Sequence, residues 1–189
     1  MGRYKYTGLA HGTSGSPQKG FENDELEARV RILEDKLSLE KSEREKEQLK
    51  RGIHELEKAK VKFTKEDVIF VTRDQTGQLI WLEKGNSGAG LEHLLHGDGR
   101  KTKGHENDFV VKHGVNSDNI IDHIKKVVSY GKVEYSVIKT RNGKPGFERM
   151  YLYKEKYYMI SAIGLNGYIV SAYPVDLRNA QKLIKDNRK

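Results

Sequence analysis

From Asn23 onward the apolar positions fall at helical spacing. Leu26, Val30, Leu33 and Leu37 are separated by four, three and four residues, which is the seam of a coiled coil. Asn23 or Asp24 is the expected N-cap. The seam fades across Glu40 to Lys46 and returns at Leu49, Ile53 and Leu56. The returning phase traces back through Leu39 and Ile32 rather than through Leu37, a shift of register. Gly52 lies in this second half, where it weakens a helix by about 1 kcal/mol relative to Ala and predicts a bendable junction. The run Glu-Lys-Ser-Glu-Arg-Glu-Lys-Glu at 40–47 cannot form a core by itself, so the alternatives are a self-associating helix and a single solvated one. Self-association is the expectation, through Leu26, Val30, Leu33, Leu37, Leu49, Ile53 and Leu56.

Beyond Lys60 the pattern changes to β-branched and aromatic residues. Val68 to Thr72, the turn Asp74-Gln-Thr-Gly77 and Gln78 to Leu82 predict a β-hairpin. Gly85 to Gly90 is a flexible joint, Leu91 to His96 a short helix closed by Gly97, and 97–108 a polar, basic loop. A stronger helix follows, capped at Asn116 or Ser117, with Ile120, Ile121, Ile124, Val127 and Val128 on one face and Gly131 at its stop. That face requires a sheet beneath it. The expected strands are Lys132–Thr140, Phe147–Tyr153, Tyr157–Ile163 and Tyr168–Tyr173, with turns at Asn142-Gly143, 154–156 and Asn166-Gly167. Such short connections predict an antiparallel meander with helices on one face, ended by Pro174. The fold class is α+β: an N-terminal coiled-coil helix, then helices packed on an antiparallel sheet. The expected organisation is a flexible basic arm over 1–22, the oligomerisation helix over 23–60, the α+β domain over 61–177 and a basic tail or helix over 178–189.

Length and charge refine this picture. A chain of 189 residues suits one ordinary core plus an appended element. Charged residues (33%) nearly equal hydrophobic ones (35%), which a globule tolerates only if a polar helix dilutes its composition. The formal charge of +8 and pI near 9.4 point to polyanions. Up to Phe21 there are three basic residues and no acid; Glu22 to Lys60 carries ten basic and twelve acidic residues; the remainder carries 22 and 15, an excess of +7. The positive excess therefore belongs to the folded part, and nucleic acid is the implied partner. No run approaches the ~18 apolar residues of a membrane span, and the N-terminus lacks the apolar core of a secretion signal.

Candidate chemistry is sparse. Cysteine is absent, which excludes disulfides and thiolate metal sites. His93-x-x-His96 places two imidazoles on one helical face, but a metal needs further ligands, so no metal and no cofactor is expected. Walker, dinucleotide and nucleophile-elbow motifs are also missing. Phosphoryl transfer to an adjacent 2′-hydroxyl would need a base near neutral pKa, a cation for the phosphorane and a donor for the leaving oxygen. His93, Arg149 and Ser171 or Tyr173 match those types, with His105 as a further acid. The alternative is a structural histidine among Leu91, Leu94 and Leu95, with Arg149 and Lys139 as ordinary strand residues.

Between Trp81 and Pro174, the order of Gly90-Leu-Glu-His93-Leu-Leu-His96, a second helix and a meander ending Gly167-Tyr-Ile-Val-Ser171-Ala-Tyr173-Pro resembles the barnase/EndoU/colicin/RelE-like nuclease domains of polymorphic toxins and phage structural proteins. That resemblance implies a barnase-like domain and a metal-free ribonuclease site, with His93 as the helix histidine, Ser171 as the terminal-strand hydroxyl and Arg149 or Lys139 as sheet cations. Gly97-Asp98-Gly99 departs from the pattern, where relatives continue with basic or histidine residues. The whole layout resembles minor capsid or ejection proteins of temperate phages of Gram-positive bacteria, which implies a protein of the phage head delivered to the host bacterial cytoplasm. The expected function is oligomeric, nonspecific DNA binding through a nuclease-like domain without catalysis; the alternative is an active metal-independent endoribonuclease of toxin type. Lys139, Arg100, Lys101, Lys103 and His105 are the expected nucleic-acid contacts. Expected partners are DNA or RNA, further copies of the chain through the coiled coil, and capsid or portal proteins.

Overall fold

The computed structural model describes residues 18–98, 104–141 and 143–187. Most of the N-terminal arm, together with Arg100, Lys101 and Lys103, lies outside the described residues. Helix α1 runs over Gln18–Lys58, so Asn23 and Asp24 fall within it rather than capping it. Two compact units divide the chain after Glu45.

In the first unit the seam residues Leu26, Val30, Leu33 and Leu37 are all solvent-exposed, as are Ile32 and Leu39. The end of α1 belongs to the second unit and behaves differently. Leu56 is fully buried and Leu49 and Ile53 pack beside it, against Val68, Val71 and Trp81. These three leucine and isoleucine side chains, expected in an intermolecular seam, instead complete an intramolecular core. Gly52 is corrected with them. A Cβ there would meet the Val71 Cβ at 2.4 Å, so this glycine marks a close approach of helix to strand, not a bend.

Strands β1 (Val68–Arg73) and β2 (Leu79–Glu83) form the expected hairpin as a separate two-stranded sheet. Its turn is held by Asp74, whose Oδ1 accepts from the Thr76 amide (2.9 Å), the Thr76 hydroxyl (2.6 Å) and the Gln78 amide (3.1 Å). Helices α2 (Leu91–His96), α3 (Glu106–His113) and α4 (Ile120–Tyr130) follow. Only α3 escaped the sequence reading. Its eight residues bury a single side chain, Phe109, and are therefore too short and too polar to show a period.

The meander forms as expected: β3 (Lys132–Arg141), β4 (Lys144–Tyr153), β5 (Lys156–Gly164) and β6 (Ser171–Val175), in that order and antiparallel. Pro174 lies inside β6 opposite Tyr158 rather than after the strand. An edge strand tolerates it, because one row of its amides has no ladder partner to lose. The expected start of this strand, Tyr168, sits outside it, bridged to Trp81, and Trp81 donates to the Gly167 carbonyl at 3.0 Å. Gly167 is required there, since a Cβ would fall 1.8 Å from the Leu79 carbonyl oxygen and its φ is +88°.

One sheet face carries Tyr151, Tyr158, Ile160 and Ala172, and α4 covers it with Ile120, Ile124, Val127 and Val128. The other face carries Tyr135, Met150, Met159 and Val175, and helix α5 (Leu177–Asn187) covers it with Ala180, Leu183 and Ile184. The C-terminal segment is thus a packed helix, and helices lie on both faces rather than one. Its lysines and arginine hid the apolar stripe Ala180, Leu183, Ile184, which has helical spacing. Among the described residues no helix is long and apolar enough to cross a membrane.

Candidate functional site

Alternation along the strands decides which side chains share a face. On the α5 face, Met150, Met159 and Val175 form the apolar part, and the same parity carries Glu148 on β4, Ser161 on β5, Ser171 on β6 and Lys139 on β3. Glu148 is only 5% exposed. The Lys139 ammonium donates to its Oε1 and the Ser161 hydroxyl to its Oε2, the latter at 3.4 Å. Ser161 is the register partner of Ser171. Two residues on, Tyr173 lies opposite Met159 and its ring meets that of His105 with centroids 4.9 Å apart. His105 Nδ1 is 3.0 Å from Asp108 Oδ2, and that hydrogen bond, helped by Lys112, holds the Asp108 carboxyl below its usual range against partial desolvation.

Of the residues singled out in the sequence, Lys139, Ser171 and Tyr173 therefore share one sheet face but lie on its two edge strands, β3 and β6, and His105 packs on Tyr173 from the start of α3. Glu148 and Ser161 join them and were missed. The available signal was parity alone: Glu148 and Ser161 interrupt the apolar face of strands otherwise reading Met150 and Met159. Together they set a carboxylate, an ammonium, hydroxyls and an imidazole along one sheet surface.

Arg149 and His93 lie elsewhere. Parity turns Arg149 to the α4 face, where it is buried. Its guanidinium donates to the Asp74 carboxylate and to Thr76 Oγ1 (3.3 Å), reaches Ser136 Oγ (3.3 Å) and lies 4.7 Å above the Phe147 ring. Tyr151 donates to the same Asp74 oxygen at 3.1 Å. Burial, reinforced by Asp74, pushes the Tyr151 phenol well above its ordinary pKa. Arg149 is thus a neutralised core cation that ties the hairpin turn to the large sheet. It is not positioned to meet a phosphorane, which corrects its expected catalytic role. His93 Nδ1 is 2.7 Å from the Ser87 carbonyl. A carbonyl only accepts, so Nδ1 carries the proton and the ring pins the 85–90 loop to α2.

A second constellation was not anticipated. The end of α3, the start of α4 and the β4–β5 turn enclose a cleft of about 600 Å³ lined by His113, His123, Tyr158, Lys126, Lys154 and Lys156. The rings of both histidines pack on Tyr158, at 4.7 and 5.0 Å. Desolvation first, then Lys156 and His123, pushes His113 down to about 4; burial followed by Lys126 lowers His123. Among the described residues, His113 Nδ1 and His123 Nε2 are buried without a hydrogen-bond partner. Nothing in the sequence pattern signalled this pair, because His113 closes the helix that showed no period.

Among the described residues no group of three or more His, Cys, Asp or Glu side chains is placed to hold a metal ion. No protein-family model matches the chain, and no curated protein matches it either.

Proposed function

We propose that this protein is a nucleic-acid-binding component of a phage virion, of the minor capsid or ejection type. It self-associates through Leu26, Val30, Leu33 and Leu37 and holds DNA nonspecifically through its basic folded part, without cutting it. The observation that carries this reading is the segregation of charge. The +7 excess lies beyond Lys60, while α1 is slightly acidic and leaves its apolar seam open. Several copies joined by that seam would present one polyanion with a multiplied positive surface, and avidity then supplies affinity that a single copy lacks. Absence of cleavage fits the state of Arg149, whose charge Asp74 already cancels. In this role the protein travels in the phage head beside capsid or portal proteins and enters the host bacterial cytoplasm with the genome.

Salt titration of duplex DNA binding tests it. Electrostatic binding predicts that log K falls linearly with log salt, by about 0.9 for each phosphate contacted. Affinity that ignores salt, or no binding at low salt, overturns the proposal.

The polar row around Glu148 favours a second reading, a metal-independent endoribonuclease of toxin type. Here Glu148, freed from Lys139 as substrate displaces the ammonium toward phosphate, takes the 2′-hydroxyl proton, and His105 returns one to the leaving 5′-oxygen. Total RNA incubated in EDTA would then be cut by the parent protein and spared by Glu148→Gln and His105→Ala. Intact RNA with the parent protein removes this reading.

A further inference from the structure

We infer that the cleft between the end of α3, the start of α4 and the β4–β5 turn is a binding site for a phosphodiester, in which His113 and His123 take up protons as the anion enters. This deepens the nucleic-acid reading above and rests on it for the source of the phosphate, but not for the site itself.

The first observation is the pair of orphaned nitrogens. A buried polar atom without a partner costs on the order of 1–3 kcal/mol, so a pair of them in one cleft calls for a function. His113 Nδ1 and His123 Nε2 are such atoms, and both rings line the same cavity. The second observation is charge. Three ammonium groups surround the cleft and one carboxylate, Asp122, answers them. Asp122 is taken by Lys126 at 2.5 Å. Lys156 donates to the His113 carbonyl at 2.8 Å and Lys154 lies 5.6 Å from the Tyr153 ring centroid, so neither is neutralised by an acid among the described residues. The third observation is size. About 600 Å³ lies within the range of small-molecule sites and accommodates a nucleotide unit, with the half-buried Tyr153 ring at its wall available to a base or sugar.

The groups facing the imidazoles set the direction of the proton linkage. From α3 there is Lys112, from α4 Asp122 and Lys126, and from the β4–β5 hairpin Tyr153, Lys154, Lys156 and Tyr158. Cations dominate, and with desolvation they keep both rings neutral while the cleft is empty. An entering anion cancels that field, so the bound state holds more protons than the free one and each proton gained adds a positive charge beside the anion. Affinity therefore rises as pH falls through the range between the bound and free pKa values.

The test uses the full chain and a thymidine dinucleotide, whose single phosphodiester stays anionic throughout the pH range. Proton NMR of the histidine C2 positions should show the His113 and His123 titrations moving upward with the dinucleotide present. Calorimetry should show affinity rising at least about threefold from pH 7.5 to 5.5, with proton uptake revealed by two buffers of different ionisation enthalpy. Lys154→Gln with Lys156→Gln, both at exposed positions, should lower that affinity about tenfold while leaving the fold intact. Unmoved histidine titrations, or a double variant that binds as well as the parent, overturn the inference. Sulfate binding as tightly as the dinucleotide assigns the cleft to a free anion and overturns it too. Duplex DNA binding by the same proteins separates the two proposals. Salt-dependent duplex binding with a silent cleft defeats the cleft alone. A responsive cleft without duplex binding defeats the virion-DNA role and leaves the phosphodiester site standing.

Discussion

Replacing Gly52 with Ala gives opposite outcomes under two accounts of the same residue. If Gly52 is a flexible point in an otherwise independent helix, Ala stabilises the protein by about 1 kcal/mol, the difference in helix propensity. If it is the notch into which β1 fits, Ala destabilises it. The structure supports the notch: the added Cβ would lie 2.4 Å from Val71 Cβ, with both Val71 methyls at 3.0 and 3.2 Å. Carbon atoms prefer separations of about 3.5–4.0 Å, so the helix must retreat by roughly 1 Å from the strand. Retreat also loosens Leu49, Ile53 and Leu56, which share that contact. Overpacking costs about 1–3 kcal/mol, and at the upper end, offset by the propensity gain, the net loss is about 2 kcal/mol. Trp81 is the only tryptophan, is 2% exposed and sits in the same cluster, so its fluorescence in a urea titration reports this core directly. A Gly52→Ala protein that unfolds at the same or a higher urea concentration than the parent refutes the notch.

Further outcomes follow from the same contacts. Leu33→Asp, at a position 64% exposed, should shift the mass measured by light scattering to that of the monomer while leaving the Trp81 unfolding transition of the second unit in place. Arg149→Met should cost about 3–5 kcal/mol in urea unfolding by stranding the buried Asp74 carboxylate, and Asp74→Asn in the same chain should recover much of it. Burial and the neighbouring Lys156 push His113 down to about 4 when folded against 6.5 unfolded, so below 6.5 the unfolded chain binds the extra proton; this residue's contribution to stability should be lost as pH drops from 6.5 to about 4, and His113→Gln should make the fall in urea midpoint over that window shallower.

Most of the architecture was legible because it rests on local signals. The hairpin turn at Asp74-Gln-Thr-Gly77, the apolar face of α4 and the short turns of the meander each announce one element and its neighbour. What stayed hidden depends on contacts distant in sequence. Leu49, Ile53 and Leu56 have the spacing of a coiled-coil seam whatever covers them, and only the position of Val68 and Trp81 reveals that β1 and β2 do so. Arg149 has the chemistry of a phosphate ligand, yet Asp74, 75 residues away, consumes its charge. Lys139, Ser171 and Tyr173 fell on one face because strand parity is a sequence property. The carboxylate on that face, Glu148, which Lys139 and Ser161 bond, went unnoticed because an acid in a β-strand ordinarily points to water.

The shift of register in α1 has a physical explanation in these contacts. A heptad continuing from Leu26, Val30, Leu33 and Leu37 would next place Glu40, Arg44, Glu47 and Arg51 in the seam, and all four are charged. They are instead paired along the helix surface, Arg44 with Glu40 at 3.8 Å and Arg51 with Glu47 at 3.2 Å. The seam proposed for other copies would therefore end near Leu37, and a different stripe begins at Leu49 for the chain's own hairpin. A single unbroken stripe would leave the two uses in competition, because a partner helix binding Leu56 would have to displace Trp81. A proposed intermolecular seam over Leu26 to Leu37 would span about three turns, short enough for association to be weak in isolation, so on the proposed reading a shared polyanion would contribute substantially to holding the copies together.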